Sequence, residues 1–272
     1  MRKIKRNFWI IPVVALIAAG WVACNKSSNI QSSTYKLSYG DSIIYLKPQS
    51  NDYIVYPTEH RTGTYSGFPD GIEIDDNNGA INVSKSETGL RYRITHVSPS
   101  GNVTTAMIVI SGITFTDHFY YLTQGDSLAK PVYNADKNRL LPVSGSIFDE
   151  GNNANSGGCS VTTTNGQINL AQSVRNGIFG SNPQNDVRKD FDINYRLNDQ
   201  SGKSLNKLRV RLYWYNTITD VPADLWEILN DRQNQGVFLG MNNSNAGSST
   251  ARGVSAIAVA KPRPPCIIIV GQ

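Results

Sequence analysis

The 272-residue chain has few of the residues that build metal and catalytic centres, with only three cysteines and three histidines. No cysteine stands in a CxxC pair or at a Cys/His spacing, so zinc and iron sites are not expected. The motifs GxSxG, HExxH and the P-loop are also missing, and His60, His96 and His118 stand in no catalytic pattern. The sequence therefore predicts a non-enzymatic protein with no catalytic residues, no metal and no cofactor.

Charge is scarce as well, at 17% of the residues, although the net charge is +5 from 26 basic and 21 acidic residues. Residues 1–23 contain no acidic residue and four of the basic ones, which are Arg2, Lys3, Lys5 and Arg6. From residue 24 onward, 22 basic residues face 21 acidic ones. A near-neutral remainder without a basic stripe argues against a nucleic-acid partner.

The N-terminus has the parts of an export signal. Its basic head precedes an apolar stretch at Phe8–Ala19, which is shorter than the roughly 20 residues that a transmembrane helix needs. The small residues before Cys24 resemble a bacterial lipobox. The resemblance implies that residues 1–23 are a lipoprotein signal peptide and that Cys24 carries the lipid. Secretion with cleavage nearby and an uncleaved anchor are the alternatives.

The polar tract at residues 24–34 is typical of a flexible tether between a lipid and a folded domain. A diacylglycerol plus a third acyl chain on Cys24 would give stable membrane attachment. The expected location is therefore the outer membrane, with the protein lipid-anchored and facing the periplasm or the cell surface. The membrane is the expected partner of the N-terminal lipid.

Short segments with alternating or apolar patterns recur along the chain and predict β-strands at Ser42–Leu46, Ile72–Ile74, Ile81–Val83, Arg91–Val97 and Thr104–Ile110. Gly-, Asn- and Asp-rich turns separate them, and Asn78-Gly79 is a strong hairpin signal. Regular short strands with such turns favour an all-β sandwich.

The run Phe68-Pro-Asp-Gly-Ile-Glu-Ile-Asp-Asp-Asn-Asn-Gly-Ala-Ile-Asn-Val-Ser, followed by Glu87–Ile94, resembles the Ig-like (cadherin-like) repeats of bacterial surface proteins. Those repeats read LPxGLxLDxxTGxIxGxPxxxGxYxxxV, and here Phe68 replaces the Leu and Val83 the Gly. The resemblance implies an Ig-like β-sandwich at residues 35–112. Two tripeptides further resemble the O-glycosylation sites of Bacteroidetes extracytoplasmic proteins, Asp41-Ser42-Ile43 and Asp126-Ser127-Leu128.

An internal echo points to a second module. Asn78–Ser84 is matched 87 residues later by Asn165–Ala171, although two such hairpins can also agree by chance. Residues 113–272 are therefore predicted to form a second β-sandwich module with insertions and one short helix at Pro222–Gln233. The fold class is all-β, with tandem Ig-like β-sandwich modules.

The strand predicted at Leu208–Tyr215 alternates, and one of its faces carries Arg211, Tyr213 and Tyr215. Together with Trp226, these residues could form a ligand platform that stacks a sugar or grips a protein. Ordinary solvent-facing strand residues are the alternative. The function that follows is adhesion, scaffolding or ligand capture by an envelope lipoprotein, with a glycan or an envelope protein as partner. The alternative is a carbohydrate-binding lipoprotein of a polysaccharide-uptake system.

Other polar groups carry weaker signals. In an oxidising compartment Cys159 and Cys266 could form a disulfide, and two free thiols are the alternative. The cluster at residues 75–78 could ligate calcium or form a polar turn. Carboxylate pairs that could mimic a glycosidase are Asp149 with Glu150 and Asp220 with Asp224.

Overall fold

The computed structural model describes residues 35–238 and 264–272. The predicted signal peptide, Cys24 and the tether lie outside the described residues. From Lys36 to Gln272 the chain forms one compact unit, which holds both of the predicted modules. The predicted boundary between residues 112 and 113 falls at a tight turn and stays a prediction.

Between residues 35 and 112, the structure contains six strands. They are β1 (Ile43–Ile44), β2 (Ile54–Val55), β3 (Thr64–Phe68), β4 (Ile81–Asn82), β5 (Arg91–Val97) and β6 (Val103–Ile110). Four of them form a sheet in the order β1-β6-β5-β3, and β2 pairs with β4 separately. The pairs β3–β5 and β5–β6 are antiparallel, whereas β1 runs parallel to β6. We call the four-stranded sheet the N-terminal sheet.

Alternation along β5 decides which face of the N-terminal sheet enters the core. Tyr92 and Ile94 are fully buried and His96 is 2% exposed, whereas the residues between them lie on the other face. Successive side chains of a strand point to opposite faces, so burial with a period of two means that one face packs inward. The predicted strand at Arg91–Val97 is confirmed at the same residues.

The described residues of the C-terminal part, 113–238 and 264–272, contain ten strands. They are β7 (Ile113–Thr114), β8 (His118–Tyr121), β9 (Leu128–Ala129), β10 (Val132–Tyr133), β11 (Ile147–Phe148), β12 (Ser160–Val161), β13 (Ile168–Asn169), β14 (Val187–Arg196), β15 (Leu205–Tyr215) and β16 (Cys266–Val270). Five of them form a sheet in the order β11-β14-β15-β16-β8, which we call the C-terminal sheet. Its β15–β16 and β16–β8 pairs are parallel.

Three α-helices accompany these strands in the described residues, α1 (Asn153–Ser156), α2 (Leu170–Arg175) and α3 (Ala223–Asn234), with two short 3-10 turns, Leu122–Gln124 and Ile218–Asp220. The predicted helix at Pro222–Gln233 is α3, with Pro222 as its N-terminal cap and Asp224 in its first turn. The all-β class with a short helix is therefore confirmed. The parallel pairs and the two shorter helices were not predicted.

The C-terminal sheet has a layer on each face. Leu208, Val210, Leu212 and Trp214 of β15 point into the main core. Alternate residues of the same strand point to the opposite face, where α3 covers part of the sheet with Leu225 and Leu229. An apolar stripe on a helix packed on a strand face is an ordinary two-layer contact.

The internal echo corresponds to two turns of the same construction. The N–H of Gly79 donates to the carbonyl of Asp75 at 2.9 Å, and the N–H of Gly166 donates to that of Thr162 at 2.8 Å. Both glycines have a positive φ, 73° and 72°, which residues with a Cβ rarely adopt. The two turns are 87 residues apart, as the sequence echo is.

The residues after each turn repeat the same hydrogen bonds. The hydroxyl of Ser86 donates to the carbonyl of Asn82 at 2.7 Å, and the hydroxyl of Ser173 donates to that of Asn169 at 2.8 Å. Each hydroxyl also accepts a backbone N–H from an upstream strand or loop residue. The echo is therefore a structural repeat, because both copies use equivalent atoms to hold the turn.

Candidate functional site

The predicted ligand platform on β15 is largely buried, so the structure corrects this prediction at two of its four residues. Tyr213 is 4% exposed and Tyr215 is fully buried, because α3 packs over them through Leu225 and Leu229. Burial raises the pKa of Tyr213 to about 12. These two rings are part of the core between helix and sheet and cannot stack on a ligand in this structure.

The third platform residue, Arg211, is held by a neighbouring strand. Its Nε and Nη2 donate to the two carboxylate oxygens of Asp190 on β14, at 2.6 and 2.8 Å. The hydrogen bond from Arg211 lowers the pKa of Asp190. One row further along, Arg209 binds Asp192 in the same bidentate way at 2.8 and 3.0 Å. Bidentate Arg–carboxylate pairs have specific geometry. The guanidinium groups of Arg209 and Arg211 therefore bind within the sheet rather than a ligand.

The Asp192 carboxylate receives a second cation. Lys207 Nζ lies 2.8 Å from Asp192 Oδ2, the oxygen that also accepts the hydrogen bond from Arg209 Nη2. The hydrogen bond from Arg209 and, after it, the one from Lys207 hold the pKa of Asp192 at about 2, against the desolvation that opposes them. We call Asp190, Asp192, Lys207, Arg209 and Arg211 the charge ladder. Each of its three cations has a carboxylate partner within the sheet, and Asp192 serves two of them.

The fourth platform residue, Trp226, is the one that keeps an exposed ring. It lies on α3, is 38% exposed, and packs on Phe119 of β8 with ring centroids 4.4 Å apart and planes at 33°. The pair forms a small aromatic surface at the edge of the C-terminal sheet. An exposed indole supported from behind by a second ring can stack on an apolar ligand face.

Cys159 and Cys266 are free thiols, and the predicted disulfide is not formed. The physical reason is their position on opposite faces of the C-terminal sheet. Cys159 belongs to the main core that includes Trp214, whereas Cys266 belongs to the cluster beneath α3. Burial raises the pKa of Cys159 to about 12, which makes the thiol a poor nucleophile.

The surroundings of Cys266 tie α3 to the sheet. Arg232 of α3 donates from Nη1, at 3.0 Å in each case, to Asp117 Oδ1, the Pro264 carbonyl and Cys266 Sγ. The backbone N–H of Cys266 donates to the same Asp117 oxygen at 2.7 Å. This buried ion pair holds the helix against the start of β16.

The histidines have structural surroundings. His96 is buried, its Nε2 lies 3.1 Å from the Thr62 carbonyl, and its ring centroid is 4.6 Å from that of Tyr65. His118 lies 3.6 Å from Asp126 on the surface. Their positions are explained by packing and by a surface ion pair.

The carboxylate pairs proposed from sequence also hold local structure. Asp149 is 3% exposed and accepts the backbone N–H groups of Ala154 and Asn155, at the start of α1. Glu150 binds Arg196. Neither carboxylate of this pair is left to act on a substrate.

In the second carboxylate pair, Asp220 with Asp224, Asp220 also holds local structure. Asp220 accepts the hydroxyl and the backbone N–H of Thr217 at 2.7 and 2.9 Å, and the hydroxyl contact lowers its pKa.

In the cluster at residues 75–78, Asp75 accepts the backbone N–H groups of Asn77 and Asn78. The described residues contain no group of three or more His, Cys, Asp or Glu arranged to hold a metal ion. The polar-turn interpretation of residues 75–78 therefore explains their hydrogen bonds.

Sequence reasoning missed the solvent-facing side of the N-terminal sheet. We call this surface the outer face; it consists of three rows across strands β3, β5 and β6, namely Phe68-Arg93-Met107, Ser66-Thr95-Thr105 and Thr64-Val97-Val103. The signal that could have found it is the alternation along Arg91–Val97. This alternation places every second residue outside.

No helix in the part of the chain that the structure describes has the length and apolarity to cross a membrane. The chain matches no family model, and a comparison with curated proteins likewise found no match. Among solved structures, mouse clustered PcdhgC3 EC1-3 is a match, with 8% sequence identity, 65% of this chain and 67% of that chain covered, and a TM-score of 0.21. A likeness at that TM-score carries no argument about the fold or the function of this chain.

Proposed function

We propose that the protein is a non-enzymatic cell-envelope lipoprotein whose Ig-like modules act in adhesion, scaffolding or ligand capture. The observation that supports this best is the use made of its polar groups. The histidines and carboxylates that could serve catalysis cap helices and turns, pair with cations or pack in the core, as Asp149, Asp220 and His96 do. Both large sheets present surface to a partner, and the polar groups named above serve the fold. This arrangement suits a binding module.

The proposed address is the outer membrane, through a lipid on Cys24, with the modules facing the periplasm or the cell surface. The test is the Cys24→Ala variant of the full chain, with Ser28→Ala in the tether as the matched control. We expect Cys24→Ala to abolish incorporation of a labelled fatty acid and to release the protein into the soluble fraction, whereas Ser28→Ala changes neither. Membrane association and acyl labelling that persist in Cys24→Ala would refute the lipoprotein proposal.

A second function, carbohydrate binding in a polysaccharide-uptake system, is favoured by the Trp226–Phe119 aromatic surface. A glycan array probed with the full chain tests it. Trp226→Ala should lose binding, and Ile228→Ala is the control, because Ile228 lies on the same helix and is 43% exposed. If the unmodified protein binds no glycan on the array, the carbohydrate-binding function is refuted. If Trp226→Ala binds a glycan as well as the unmodified protein does, the Trp226–Phe119 surface is not the binding site.

A further inference from the structure

The outer face of the N-terminal sheet is open to solvent and is more apolar than an ordinary exposed sheet. Val97, Val103 and Met107 are 37%, 60% and 39% exposed. Threonine and serine hydroxyls fill the positions between them, and cross-strand register holds all of them on one face. Neighbouring exposed apolar side chains on a flat surface are characteristic of interaction sites rather than of a solvated face.

Two arginines point to this side of β5: Arg93 lies in the outer face, and Arg91 lies one row beyond it, opposite Val109 of β6. Among the described residues, no carboxylate lies within ion-pair distance of Arg91 or Arg93. On the C-terminal sheet, by contrast, Arg209 and Arg211 each bind an aspartate on the next strand. The outer face therefore presents the positive charge of Arg93 beside exposed apolar side chains, with that of Arg91 at its margin, and this surface complements a negative one.

The row containing Arg93 has the composition of an interface centre. The Arg93 guanidinium lies over the Phe68 ring, with 5.1 Å from Cζ to the ring centroid, and Met107 is its neighbour on the other side. Arginine, aromatic residues and methionine are enriched at protein interfaces. Because the guanidinium covers Phe68, the face presents no free ring on which a sugar could stack, and this favours a protein partner over a glycan.

A second copy of the chain does not suit this surface. Symmetric pairing of the outer face with itself would bring the arginines of two copies into one interface. Like charges facing each other across an interface are unfavourable, and no acid of the outer face would offset them.

We propose that the outer face is the docking site for a different protein whose contact surface carries carboxylates among apolar side chains. The carboxylates would bind Arg93 and Arg91, and the apolar side chains would cover Val97, Val103 and Met107. This inference rests on the proposed function of a binding module, and it names the surface and the chemistry of the partner.

The test uses the full chain in detergent and a displayed library of random peptides as the probe. Selection on the unmodified protein should enrich peptides that combine Asp or Glu with apolar residues. A selected peptide should bind Arg93→Glu at least about tenfold more weakly. Met107→Asp should weaken it as well. Arg175→Glu, an exposed charge reversal on α2, is the matched control and should leave the affinity unchanged.

Several results would overturn the inference. The first is a selection in which the bound peptides are not enriched in Asp or Glu, and the second is a selected peptide that binds Arg93→Glu as tightly as the unmodified protein. The third is that no peptide binds, whereas an anionic polysaccharide such as heparin binds the unmodified protein and not Arg93→Glu. The fourth is self-association of the protein in sedimentation that Arg93→Glu abolishes. Each of these would leave acyl labelling at Cys24 intact, so it would contradict the docking inference alone. Loss of the lipoprotein proposal would instead be seen in the Cys24→Ala experiment.

Discussion

The two large sheets differ in how they treat the face that points away from the main core. The C-terminal sheet closes it, with α3 over Tyr213 and Tyr215 and with the charge ladder over the rest. The N-terminal sheet leaves the outer face open, with exposed apolar residues and with Arg93, which forms no ion pair among the described residues. Both sheets contain strands with alternating burial, so alternation alone does not tell whether the face that points away from the core is exposed or covered. What covers the face is decided by parts of the chain that are distant in sequence.

The largest expected effect is on the cover of the C-terminal sheet. Leu229→Ala should lower the free energy of unfolding by about 2 to 5 kcal/mol, because it removes a buried side chain and leaves a cavity. Ile228→Ala, one residue away and 43% exposed, should cost within about 0.5 kcal/mol. Urea unfolding of both variants measures the difference. Equal costs would mean that α3 does not cover the sheet as described.

The next effect compares the two repeated turns. A Cβ on Gly79 would lie 2.6 Å from the Tyr65 ring, and a Cβ on Gly166 would lie 2.7 Å from the Phe148 ring. Alanine at either position should cost about 1 to 3 kcal/mol for this overlap, beyond the strain of a positive φ.

Gly101→Ala is the control for that comparison, since Gly101 also has a positive φ, 84°, and nothing lies within 4 Å of its Cβ position. Thermal or urea unfolding gives the three costs. If Gly101→Ala costs as much as the other two variants, the ring contacts do not matter to the turns. If only one turn is sensitive, the two copies of the repeat are not equivalent.

A smaller effect concerns the charge ladder and is seen as a pH dependence. The pKa of Asp192 is about 2 in the folded protein, below the ordinary value of 3.8. A carboxyl whose folded pKa is depressed stabilises the protein above the unfolded pKa, and this stability is lost as the pH falls from about 4 to about 2. Partial exposure and screening limit the contribution to about 1 kcal/mol.

Asp192→Asn should therefore be less stable than the parent protein at pH 7, and the difference should shrink toward pH 2. The control is Asp231→Asn, an exposed substitution on α3. Chemical unfolding over this pH range checks the prediction. A difference that stays constant with pH would show that the ladder does not stabilise Asp192 in its charged form.

The smallest effect contrasts the two sheets directly through charge reversal. Arg211→Glu would face Asp190 across the strand pair and should cost about 1 kcal/mol. Arg93→Glu faces no acid on its row and should cost within about 0.5 kcal/mol. Urea midpoints of the two variants measure this contrast. A large cost for Arg93→Glu would mean that its guanidinium stabilises the fold and is not reserved for a partner.

Local patterns predicted much of the secondary structure. The alternation of β15, the strand β5, the turns at Asn78-Gly79 and Asn165-Gly166, and the helix after Pro222 are all confirmed. Each depends on a short-range preference, such as a period of two, a glycine with positive φ or a capped start. The shorter helices α1 and α2 have no comparable periodicity, and sequence reasoning missed them.

Long-range pairing could not be predicted in the same way. The last strand, β16, lies between β15 and β8 and runs parallel to both, although these strands are distant in the sequence. This insertion places Cys266 beneath α3 and away from Cys159, so of the two alternatives left open by the sequence, the structure has the free thiols. Two thiols on opposite faces of a sheet cannot reach each other, whatever their spacing in the sequence.

The sequence by itself determined the all-β class, the near-neutral charge of the chain beyond residue 23 and the two alternating faces of the strand at Leu208–Tyr215. The tertiary structure alone decided which outward residues stay in solvent. It buried Tyr213 and Tyr215, paired Arg211 with Asp190, and left Met107 exposed and Arg93 half-buried over Phe68. The physical reason is that a strand's alternation is a local property, whereas its burial depends on which distant element packs against each face.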